Sequence, residues 1–173
     1  MPKESQNASA YDYLFSNYTN TLGRNVTGNA TISQVNVTNF RVDTYGGWFI
    51  YAVWQENNPS QSVIYFDRSV DGGKTWSPVV PISNAAQISI NPHVGAFANE
   101  VYVTWEAKNP LNSDVFLKKS INGGTTFGST INLSHSAGLY SSTDSNILID
   151  KTTSKVIIWW VTHFHPIIYC YRC

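Results

Sequence analysis

A chain of 173 residues in which 42% of the side chains are hydrophobic is long enough to bury one ordinary globular core. Eleven basic residues balance eleven acidic ones, and no basic cluster interleaves with the aromatics. That argues against nucleic acid and anionic membrane surfaces as partners. Six Trp, ten Tyr and eight Phe in a chain only 13% charged favour strands over helices, because bulky and β-branched side chains suit a pleated surface.

Residues 1–33 are polar, rich in Asn, Ser and Thr, and show neither alternation nor helical periodicity, so they read as a leader or linker. The first fifteen residues lack the unbroken apolar segment of a secretory signal, so any export signal is either upstream of Met1 or absent. Glycosylation acceptor tripeptides begin at Asn7, Asn17, Asn25, Asn29 and Asn36. They mark an extracellular or cell-surface stalk that carries glycans, or they arise by chance in a segment rich in Asn and Thr. A sixth, at Asn132, falls inside an expected strand.

From Gln34 onward, runs of five to eight strand-forming residues alternate with turn residues. Expected strands cover 34–42, 48–54, 63–69, 79–83, 88–97, 100–105, 114–120 and 130–134. Trp54 aligns with Trp105, and Val63–Ser69 aligns with Asp114–Ser120. A third unit follows, in which Val156–Trp160 matches Val101–Trp105 and Ile167–Cys173 matches Val63–Ser69. Its extra residues are expected in a loop around Ser141–Asp144. The apolar run Val156–Val161 is far too short to span a bilayer and reads as a buried strand. Four strands per unit at a period near 50 is the pattern of propeller blades, each an antiparallel sheet packed face to face on the next.

The first two units each contain a glycine turn. Ser69-Val70-Asp71-Gly72-Gly73-Lys74-Thr75-Trp76 recurs as Ser120-Ile121-Asn122-Gly123-Gly124-Thr125-Thr126-Phe127. Asp71 and Asn122 are placed to accept backbone N–H bonds in an Asx-turn, the glycines tolerate positive φ, and the Thr-aromatic pair is expected to begin the return strand. Neither the longer frame of a phosphate loop nor the alternating oxygen ligands of a calcium loop is present.

The turn pattern, S-x-D-x-G-x-T-[W/F], resembles the Asp-box (BNR) repeat of sialidases and related β-propellers. The resemblance covers residues 34–173 and implies an all-β propeller segment of four-stranded antiparallel blades, two complete and a third incomplete at the C-terminus. It also implies that Ser69, Asp71, Gly73, Thr75 and Trp76, with Ser120, Asn122, Gly124, Thr126 and Phe127, are structural. Closing such a ring takes on the order of 300 residues, so remaining blades or self-association are expected to cover the open faces.

For catalysis, the resemblance directs attention to Phe40-Arg41-Val42-Asp43, where the family places an arginine that grips a substrate carboxylate. The family's proline is missing here. The stretch Gln55–Ser62, read as a loop, supplies neither the second arginine nor the aspartate acid; Glu56 is its one carboxylate. The leading expectation is therefore a non-catalytic, surface-exposed module that contacts glycan or protein. The alternative is an exo-α-sialidase-like hydrolase whose remaining catalytic residues lie outside this chain, with Arg41 and Glu56 as its candidates here.

The tail gathers His163, His165, Cys170 and Cys173, all zinc-compatible ligand types. The cysteines fall on an expected strand, where residues three apart point to opposite faces, which favours no metal over a zinc site. Neither a cofactor nor a disulfide framework is expected, and His93, on an expected inner strand, stands alone.

Overall fold

A computed structural model describes residues 36–109, 111–136, 140–163 and 166–171, the side chains of Asn36, Asn58 and 166–171 excepted. The chain divides between Gln34 and Val35, and the described residues all belong to the second part. That part is all-β and mostly antiparallel, with no helix among the described residues.

The first four strands are β1 (Asn36–Tyr45), β2 (Phe49–Asn58), β3 (Gln61–Ser69) and β4 (Val80–Pro81). Each pairs antiparallel with the one before it. A second meander repeats the order with β5 (Ile88–Phe97), β6 (Glu100–Lys108), β7 (Ser113–Ser120) and β8 (Ile131–Asn132). A third consists of β9 (Ser142–Asp150), β10 (Lys155–Thr162) and β11 (Pro166–Tyr171). The first two share one sheet only through a single parallel bridge, Ser62 to Ile88, beside which the Ser62 hydroxyl donates to the Ser89 carbonyl at 2.5 Å.

Alternation along each strand explains how the meanders stack. Tyr51, Val53, Ile64, Phe66 and Ile82 of the first pack on Val101, Val103, Trp105 and Ala107 of the second. Tyr102, Val115 and Leu117, on the second meander's other face, pack on Val156, Ile158 and Trp160. Both faces of β6 are therefore dry, so Thr104 and Glu106 on its more polar face are as buried as Val101 and Val103 on the other. Close approach of the last two meanders depends on Gly95, where an added Cβ would sit 2.8 Å from Ile147 Cγ2.

The three leading strands β1, β5 and β9 converge. Asp43 on β1 accepts the backbone N–H of Ala96 at 2.7 Å. Lys151, in the hairpin after β9, reaches past the second meander to donate to Asp43 Oδ1 at 3.2 Å and to the Thr44 carbonyl at 2.7 Å.

Three expectations need correction. Gln55–Ser62 is not a loop: β2 and β3 run through it and leave only Pro59 and Ser60 as the turn, because Gln55 to Asn58 keep register with β3. The region around Ser141–Asp144 is not an insertion loop either, since Ser142 opens β9; two of the extra residues lie instead in the hairpin between Asp150 and Lys155. The outer strands are two residues each, and Thr75 and Thr126 precede them rather than starting them. In the first meander, Pro78 and Pro81 lack the N–H groups a longer ladder needs. Backbone bonds from Ser77 to Arg68 (2.9 Å) and from Ile82 to Ile64 (2.8 Å) hold that segment to β3 outside the formal strand.

Candidate functional site

The two glycine turns close with the same set of bonds. In the first, the Ser69 hydroxyl accepts the N–H of Gly73 (2.8 Å) and of Asp71 (3.3 Å) while donating to Asp71 Oδ1 (2.8 Å). Asp71 Oδ1 also accepts the Thr75 N–H at 2.9 Å, and Oδ2 accepts the Thr75 hydroxyl at 2.7 Å. Ser120, Asn122, Gly124 and Thr126 repeat every element but one: Asn122 Nδ2 donates to Thr126 Oγ1 at 2.8 Å, which reverses the last bond. Each turn then docks on the neighbouring hairpin, Gly72 N–H on the Trp48 carbonyl and Gly123 N–H on the Asn99 carbonyl. Trp76 is half-buried, and Phe127 meets Phe66 edge to face at 4.9 Å between centroids.

Hydrogen bonds led by the Thr75 N–H lower the Asp71 carboxyl to about 2. A carboxylate whose folded value lies below its unfolded one contributes stability above the unfolded value and loses it as pH falls through the folded one. Acid should therefore weaken this turn between about pH 4 and pH 2. Asp71→Asn, which installs the side chain already present at 122, should fold and show a shallower acid transition over that window in circular-dichroism titrations.

A second polar system lies at the leading strands. β1 and β5 bulge between Thr38 and Arg41 and between Ile90 and His93, and the β9–β10 register shifts around Asp144. Asn39, Asn91 and Asp144 occupy these bulges with φ of 52°, 52° and 55°, a conformation that Asn and Asp tolerate better than most residues. Gln55 Oε1 accepts from Asn39 Nδ2 (2.8 Å) and from the Asn91 N–H (3.2 Å). Glu106, which follows Trp105 as Gln55 follows Trp54, does the same one meander on: its Oε1 accepts from Asn91 Nδ2 (3.1 Å) and from the Asp144 N–H (2.8 Å). Each meander thus grips the bulge of the next.

Sequence reasoning did not find this relay. Its signals were the Asn39–Asn91 spacing and the amide or carboxylate directly after Trp54 and Trp105. Burial, ahead of the neighbouring Asp144 charge, pushes the Glu106 carboxyl up, while Asn91, the Asp144 N–H and Lys108 pull it partly back. With a folded value above the unfolded one, its ionised form works against folding once pH rises past the ordinary glutamate range. Glu106→Gln keeps the Oε1 acceptor and should melt at or above the parent at pH 7, with the difference vanishing near pH 4.

Arg41, two residues past the first bulge, is exposed and donates to the Phe40 carbonyl at 3.0 Å. His93 and Asn146 hold the matching places on β5 and β9 and are half-buried. Burial first, then the Arg41 charge, lowers His93 to about 4 against a smaller opposing effect from Asp144, so this imidazole is neutral at pH 7. The result is a polar row with one guanidinium (Arg41), one neutral imidazole (His93) and one exposed carboxylate (Asp144), suited to hydrogen-bonding a polar surface.

Glu56 is not a solvated loop residue. It sits half-buried on β2 and accepts the Trp54 indole N–H at 2.8 Å. Arg68, the other arginine among the described residues, donates to the Gly123 carbonyl at 2.6 Å and ties the first meander to the second turn. Arg41, Arg68 and Glu56 are therefore bonded to three separate partners.

The Asn132 tripeptide is engaged in the fold. Asn132 Oδ1 accepts from the N–H of Ser134 and of His135, both at 3.1 Å, and its Nδ2 donates to Asp114. Ser134 donates to Asp114 Oδ1 at 2.7 Å. Burial pushes Asp114 up, but hydrogen bonds led by Ser136 and Ser134 outweigh it and hold the carboxyl below its ordinary value. Asn7, Asn17, Asn25 and Asn29 lie outside the described residues, as do His165, Cys173 and the side chains of Asn36 and Cys170. His163 is exposed, its backbone N–H bonded to the Ser141 carbonyl at 3.0 Å. Among the described residues no group of three or more His, Cys, Asp or Glu is placed to hold a metal ion, and no helix is long and apolar enough to cross a membrane.

No protein-family model matches the chain, and neither does any curated protein.

Proposed function

We propose that residues 34–173 are consecutive blades of an Asp-box β-propeller related to the sialidases, serving as a non-catalytic, surface-exposed module that binds glycan. The observation that carries the reading is the pair of turns closed by matching side-chain bonds on successive four-stranded meanders packed face to face. Convergence of β1, β5 and β9, tied across by Lys151 and Asp43, supports a curved arrangement with these strands innermost. The engagement of Arg68 on a backbone carbonyl and of Glu56 on Trp54 supports binding over hydrolysis. Arg41, His93 and Asp144 form the contact row. The extracellular setting rests on the leader's acceptor tripeptides.

The exposure of Arg41 on the first leading strand favours one second reading, a sialidase-like hydrolase completed by residues elsewhere. A fluorogenic sialoside and an immobilised glycan panel separate the two. The expected result is no turnover, with binding to at least one glycan that Arg41→Ala weakens. Turnover that Arg41→Ala abolishes would establish the hydrolase instead, and the absence of both binding and turnover would leave a structural spacer.

A further inference from the structure

The second turn can lose ammonia where the first, with Asp71 before Gly72, cannot. Asn122 is exposed and is followed by Gly123, which has no Cβ to shield its backbone nitrogen. Attack of that nitrogen on Asn122 Cγ forms a C–N bond and a five-membered succinimide, with Nδ2 leaving as ammonia. Solvent water then opens the ring to aspartate or to isoaspartate.

The turn arranges the participants of this reaction unevenly. The Ser120 hydroxyl and the Thr126 N–H both donate to Asn122 Oδ1, at 2.8 and 2.9 Å, where negative charge gathers during the attack. The Arg68 guanidinium bonds the next carbonyl along, that of Gly123, at 2.6 Å. The electrophile is thus activated. The nucleophile is not: Gly123 donates its N–H to the Asn99 carbonyl at 2.7 Å, which holds the nitrogen in the turn-to-hairpin contact. Asn122 Nδ2, the leaving group, is held by Thr126 Oγ1 at 2.8 Å.

We propose that Asn122 is a deamidation site gated by the Gly123–Asn99 contact, and that its aspartate product completes the second turn. The first turn shows what the product would do. Asp71 keeps the Ser and backbone bonds and takes the Thr75 hydroxyl on Oδ2, so the Thr126 hydroxyl has only to rotate to donate instead of accept. Isoaspartate adds a backbone methylene inside a span that Ser120, Gly124 and Thr126 bridge with side-chain bonds, and it cannot reproduce them.

The test follows the Asn122 peptide by mass spectrometry in the full chain at neutral pH, folded and in denaturant, alongside the variant Asn122→Asp. The folded chain should deamidate at least about tenfold more slowly than the unfolded one, since opening of a docked turn precedes reaction. Asn122→Asp should melt no lower than the parent. Equal rates in the two states would overturn the gate, and a lower melting point for Asn122→Asp would overturn the claim that aspartate completes the turn.

Discussion

Gly124→Ala should destabilise the fold by about 2–4 kcal/mol, from two separable causes. Gly124 has φ of +80°, where an L side chain is strained, and a Cβ there would lie 2.6 Å from Phe66 Cζ. Phe66 is fully buried and holds Phe127 edge to face, so its ring has no room to retreat. Gly47→Ala is the control: φ is +75° but nothing lies within 4 Å of the new Cβ, so only the backbone strain of about 1 kcal/mol applies. Denaturant melts of the two variants isolate the steric part. Phe66→Leu should partly rescue Gly124→Ala, giving strong non-additivity in a double-mutant cycle. Equal losses at 47 and 124 would mean that the second turn does not press on the first meander.

Trp105→Ala should cost about 3–5 kcal/mol, the range for emptying a buried aromatic site. Trp105 is 2% exposed, belongs to the cluster that joins the first two meanders, and stacks on Phe116 at 5.9 Å with 19° between the rings. Its repeat-mate Trp54 stacks on Tyr65 in the same way, at 6.0 Å and 23°. Because the cavity would open between two meanders, hydrogen exchange should accelerate in β2, β3 and β6 together. Loss of protection confined to β6 would contradict the face-to-face interface.

Much of this architecture is written locally. The eight-residue turn recurs because its serine, Asp or Asn, glycines and threonine satisfy one another's bonds within a few residues, so sequence alone fixes its shape. The alternation Val101, Val103, Trp105 against Tyr102, Thr104, Glu106 identifies β6 and its two faces for the same reason. The strand boundaries around Gln55–Ser62 were not legible, since Gln, Glu and Asn carry no strand signal; their pairing comes from cross-strand register with β3 and from bonds such as Trp54 to Glu56. β9 was hidden likewise, because Ser142, Thr143, Asp144 and Asn146 look like a loop until Ile147 and Ile149 are seen packing toward Gly95.

The leading-strand relay depended wholly on tertiary structure. Asn39, Gln55, Asn91, Glu106 and Asp144 span more than a hundred residues, and what unites them is that the second and third bulges each present a backbone N–H to a side chain of the preceding meander. Sequence determined the turn, the repeat and the dry faces, because those follow from bonds and periodicities within a few residues. Only folding decided that Arg41, His93 and Asp144 share one end, that Arg68 serves a turn 55 residues away, and that Glu56 holds an indole. The partners of Arg68 and the shared end of Arg41, His93 and Asp144 are chosen by the stacking of separate meanders, which no local pattern encodes.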